Sequence, residues 1–98
     1  MIHFDYAKAI RQAKEIEKCA DDLEKIATGD MNALQASLAN SWTGEASHLF
    51  IGNCDELRSE LSAEATQLRS VAARIRQVSE TIRRAEEEAK RAAAQRNG

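Results

Sequence analysis

The sequence predicts an all-α protein, an antiparallel two-helix hairpin that pairs with a second hairpin into a four-helix bundle dimer. Three observations predict it. The 98 residues include no proline and few glycines or aromatics, so little interrupts a helix. Small and apolar residues recur at alternating steps of three and four along most of the chain, the pattern of a coiled-coil seam. That pattern has one clear break, near the middle, where the only tryptophan stands two residues before a glycine.

The first helix is predicted over about residues 5–40. Its seam runs Tyr6, Ala9, Ala13, Ile16, Ala20, Leu23 and Ala27. The phase slips at Gly29-Asp30 by one extra step of four, then resumes through Met31, Leu34, Leu38 and Trp42. Such a stutter locally unwinds a supercoil, so the helix is expected to bend there without ending. Asp5 is a suitable N-cap, because its carboxylate can accept from free N–H groups of the first turn.

A turn follows over 41–44, where glycine supplies backbone freedom and the indole can cover the open end of a helix pair. The second helix is predicted over about 45–93. Its seam includes Phe50, Cys54, Leu57, Leu61, Leu68, Val71, Ile75, Val78, Ile82, Ala85, Ala89 and Ala92, and only Glu64 breaks it. Pairs such as Glu80 with Arg84 and Glu86 with Lys90 lie four apart in the favourable order.

Folding at this turn sets residues whose numbers sum to roughly 86 opposite each other, so Tyr6 faces the neighbourhood of Glu80. At 1.5 Å per residue the helices are about 50 and 75 Å long, which leaves the end of the second overhanging. The apolar stripe, widened by Ile10, Cys19, Ile26, Leu49, Ile51 and Ala72, exceeds what one hairpin can bury. Dimerisation is therefore expected, with Ile16, Leu23, Leu34, Leu38, Leu57, Leu61, Leu68, Val71, Ile75 and Val78 as the core and dimer seam.

The remaining residues narrow the chemistry. A net charge of −2 gives no electrostatic case for nucleic acid. The basic residues from Arg74 onward are interleaved with glutamates and lack aromatics on which bases could stack. No window approaches the roughly 18 apolar residues of a membrane span, so no stable membrane insertion is expected. Met1 to Tyr6 has no basic flank and no continuous apolar run, so no cleavable secretory signal is expected. Neither His3 nor His48 has a second ligand at metal spacing, and no phosphate loop or Ser-His-Asp set is readable. An enzyme is not expected, and no catalytic, cofactor or metal site is assigned. Cys19 and Cys54 are about 18 Å apart along the predicted bundle, too far for a disulfide, and both read as small core residues.

Trp42, Gly44, Ala46 and Phe50, with their spacing and their place between two long amphipathic helices, resemble the signature of the WXG-hundred superfamily, small proteins of the early secretory antigenic target type. The resemblance covers essentially the whole chain. It implies a non-catalytic substrate or secretion partner of a type VII secretion system, made in the cytoplasm and secreted. It also implies homodimers or heterodimers with another hairpin of the same type, and a secretion ATPase as a further partner. An alternative within it is a targeting adaptor that pairs with the helical N-terminal region of a larger secreted toxin; outside it stands an unrelated intracellular helical adaptor.

The family's export signal is a tyrosine followed four residues later by an acid, on the tail of the second helix. This chain departs from it, since its one tyrosine is Tyr6. A looser form of the signal is matched in spacing by Ile82, Glu86, Ala89 and Ala93. A solvated helix end explains the same residues.

Overall fold

The computed structural model describes residues 4–41 and 44–97. Helix α1 spans Tyr6–Lys25, and Asp5 caps it as expected: in extended backbone, its carboxylate accepts the Lys8 N–H at 3.0 Å. The chain continues through one π-helical turn, Ile26–Asp30, into α2, Met31–Ser41. Helix α3 then runs unbroken over the 53 residues Glu45–Asn97. Its length of about 80 Å at 1.5 Å per residue sets the long axis of an 81 × 17 × 15 Å rod.

The π turn falls where the sequence pattern slips. Met31 donates its N–H to Ile26, five residues back, instead of to Ala27. A turn closed this way holds more residues than an α turn, so a four-residue step advances the chain by less than it would in an α-helix. Ala27, fully buried, and Met31, at 7% exposure, both remain in the contact with α3.

The helices are antiparallel. Glu17 meets Arg76, Asp21 meets Arg69, and Gln35 meets Asp55. On the first helix the centre of their contact follows the predicted seam through Ala13, Ala20, Ala27 and Met31, whereas on α3 it lies one position beyond the predicted Glu64, Val71 and Val78. The wholly buried side chains are Ala13, Ala20 and Ala27 on one side and Ala65 and Ala72 on the other, with Ser79 continuing the second row at 2% exposure. Cys54 on the predicted α3 seam is buried too, but none of the ten larger residues named as core and dimer seam is. Ile16, Leu23, Leu38, Leu61, Leu68 and Ile75 are half-buried, whereas Leu34, Leu57, Val71 and Val78 are 45–49% exposed. The physical reason is size. Two rows of alanine, each repeating every seven residues, let the backbones approach most closely, and the larger side chains take the flanks of that contact.

Cys54 is buried, as a small core residue should be, but Cys19 is exposed. The expectation that both are core residues is corrected for Cys19. It stands one residue before Ala20 and so points to the rim of the contact. Both thiols are free.

Candidate functional site

Each row of α3 beside the alanines has its own chemistry. Arg69, Arg76 and Arg83 follow Ala65, Ala72 and Ser79 by four residues and lie on one flank. Val71 and Val78 directly precede Ala72 and Ser79, and with Leu57, fourteen residues before Val71, they form a row on the other flank. Helix α1 and the π turn are arranged in the same sense, with Glu17 and Glu24 on the first flank and Cys19 and Ile26 on the second.

The first flank is closed by ions. Arg76 grips Glu17 with two hydrogen bonds, Nη2 to Oε1 at 2.7 Å and Nε to Oε2 at 3.2 Å. Arg69 bridges Asp21, at 2.8 Å, and Glu24. At the end of the hairpin Arg83 lies 5.0 Å from the centre of the Tyr6 ring and donates to Glu80 at 2.7 Å. The Tyr6 hydroxyl donates to the same Glu80 at 3.3 Å, which places Tyr6 and Glu80 opposite each other as the register predicts. Such exposed pairs fix register and orientation more than they stabilise.

Their titration has a definite sign. Arg76, by hydrogen bonding, holds the Glu17 carboxyl below its ordinary 4.5 against opposing desolvation. Arg83 does the same for Glu80, with Tyr6 adding to it. Folding therefore favours the ionised carboxylates. Their contribution is complete above the ordinary value and is lost as pH falls through the lowered ones. We expect the melting temperature, followed by circular dichroism, to drop as pH falls below 4.5, and Glu17→Gln to reduce that drop. A melting temperature independent of acid would show that the ionic flank does not contribute.

The second flank is open. Ile16, Cys19, Leu68 and Ile75, with Gln12 and Glu15 at the edge, line a groove of about 400 Å³ along it. Ile26, Leu57, Val71 and Val78, each at least 40% exposed, extend the same apolar character along the rod. Glu64 is the polar exception, exposed between Leu57 and Val71 in the outer row. The structure thus gathers most of the predicted seam into one unshielded face.

Trp42, whose indole is expected to cover the open end of the pair, and Thr43 lie outside the described residues, as does the side chain of Ala46. Gly44 has φ +89°, a left-handed conformation that side chains rarely adopt, and its carbonyl accepts the His48 N–H at 3.2 Å to open α3. Glu45 stands in that first turn, where the helix end favours an anion. Phe50 is half-buried and Leu49, beside it, is 70% exposed.

Of the tail residues, Ile82 and Glu86 are half-buried and Ala89 and Ala93 are exposed. From Glu87 to Arg96 every residue is exposed, yet the helix continues to Asn97. Sequence reasoning missed the arginine flank, although the seven-residue spacing of Arg69, Arg76 and Arg83 against Glu17 and Glu24 is legible. It also missed Arg58, whose Nε donates to the Ala27 carbonyl at 3.0 Å.

Among the described residues no group of His, Cys, Asp or Glu could hold a metal ion, and no helix is long and apolar enough to cross a membrane. Compared with known proteins, residues 1–87 match a family profile described as proteins of 100 residues with WXG. No curated protein and no solved structure matches the chain.

Proposed function

Since this chain belongs to the WXG family of small proteins associated with type VII secretion, we propose that it is a non-catalytic substrate or secretion partner of such a system. It pairs its open apolar flank with a second helical hairpin and presents turn and tail for export. Membership removes the reading as an unrelated helical adaptor. The observation that carries the proposal is the one-sidedness of the hairpin. Alanines bring the helices together, ion pairs close one flank, and the large apolar residues are left on the other with nothing over them. A face of that kind is stable in water when a partner covers it.

One observation favours the targeting-adaptor form of this reading, in which the chain pairs with the helical N-terminal region of a larger secreted toxin. Its single tyrosine is held by Glu80 and Arg83 at the start of α1, so the tail has no tyrosine to offer a secretion ATPase. An adaptor whose partner carries the signal has no need of one.

Deleting residues 87–98 tests the tail. Because those described, Glu87 to Arg96, are exposed all round, the shortened hairpin should melt within a few degrees of the full chain. In a strain with a working type VII system, loss of secretion of this chain or its partner is the expected result. Ile82→Asp and Glu86→Ala examine the looser signal directly. Normal export of all of these variants would remove the tail from the mechanism and leave export to a partner's signal.

A further inference from the structure

We propose that Arg58 is a register latch: it holds the Ile26–Asp30 turn in its π form, and without it α2 adopts a second register in which Leu34 replaces Met31 in the helix contact. The backbone supplies the first half of the argument. In an α-helix the Ala27 carbonyl would accept the Met31 N–H. Here that N–H goes to Ile26, and Arg58 Nε fills the place at Ala27 at 3.0 Å. The same guanidinium donates to Asp55 at 2.7 Å and to the Gln35 side-chain carbonyl, while the Gln35 amide donates to Asp55 at 3.2 Å. One side chain of α3 therefore ties together the π turn and α2. Arg58 also stands in the row of Ala65 and Ala72, seven residues before Ala65, so it occupies the contact at the level of the turn.

The second half is the pattern of apolar residues. Continuing α1 as a regular α-helix would place Leu34, seven residues after Ala27, in the central row. It would carry Met31 and Leu38, four and eleven residues after Ala27, to the ionic flank. In the observed register Met31 is 7% exposed and Leu34 46%. The two registers thus bury one large apolar side chain each and differ by a rotation of α2 of about 100°, one residue of helix. Gly29 lies within the turn, and a Cβ there would meet nothing within 4 Å, so packing at that position does not enforce the π form. What distinguishes the registers is the carbonyl that Arg58 holds and the bonds to Gln35, which a rotated α2 would carry away.

The experiment is Arg58→Met, which keeps the apolar stem, read by NMR through the coupling across the hydrogen bond from the Met31 amide nitrogen. The native chain should couple to the Ile26 carbonyl carbon and the variant to that of Ala27. Oxidation of Met31 by peroxide, followed by mass spectrometry, should be faster in the variant. A second variant guards against simple unfolding. Deleting Gly29 removes the extra residue, so the Ile26 carbonyl becomes the ordinary α partner of Met31 without a latch. In that background Arg58→Met should change the folding constant little, whereas in the native chain it should lower it about tenfold, as expected for a charged hydrogen bond. Coupling retained to Ile26 in Arg58→Met, or an equal loss of stability in both backgrounds, would overturn the proposal.

Discussion

Ala72→Leu is expected to unfold most of the hairpin at temperatures where the native chain is intact. Ala72 is wholly buried, as are Ala65 and Ala20. The added methylenes have nowhere to go unless the helices separate. Overpacking of this kind costs about 1–3 kcal/mol even where neighbours can shift. Here its neighbours in the row are Ala65 and Ser79, small residues on a rigid helix, so separation at Ala72 also loosens the contacts above and below. Thermal unfolding followed by circular dichroism should show a melting temperature lower by ten degrees or more, on the order expected for a domain of this size. Val71→Leu, one residue away but 49% exposed, should be close to neutral. Equal effects from the two changes would contradict the alanine-centred contact.

Val71→Asp together with Val78→Asp is expected to do the reverse, sparing the hairpin and abolishing its pairing. Both side chains are nearly half exposed in the single chain, so carboxylates there remain hydrated. Covered by a partner, each would be an unsatisfied group costing about 1–3 kcal/mol, which together lowers affinity by roughly a hundredfold or more. Sedimentation of the purified chain, alone and with its co-expressed partner, measures it. An unchanged assembly with intact helicity would place the interface elsewhere on the rod.

The helices were legible in the sequence because periodicity, capping and the lack of breakers all agree. Asp5 as cap, Tyr6 opposite Glu80 and the disturbance near Gly29 follow from local patterns. The centre of the contact was legible on the first helix, where Ala13, Ala20 and Ala27 lie on the seam, but not on α3. Reading the seam by hydrophobicity gives weight to leucine, isoleucine and valine, whereas two antiparallel helices close on their smallest residues. Leu57, Val71 and Val78 consequently fall on a flank, and Ala65 is central although it follows the discordant Glu64. Cys19 was misplaced for the same reason, being apolar and near the seam but one position off the alanine row. The π turn could be anticipated as a change of phase. Its hydrogen bonding could not, because the Ala27 carbonyl is satisfied by a residue 31 positions away.

The long third helix carries one more consequence. From Glu87 to Arg96 every residue is exposed, and a segment of that size cut free in water would not stay helical, since the nucleation of a first turn is too unfavourable for so short a peptide. Attached to α3 it needs no nucleus, because the helix is already started where α1 and α3 are clamped together. Its shape is thus a report, carried some distance along the rod, that the hairpin behind it has folded. A receptor that grips this end only as a helix would reject unfolded copies without touching their core, so inspection of the cargo and recognition of the cargo would be one event.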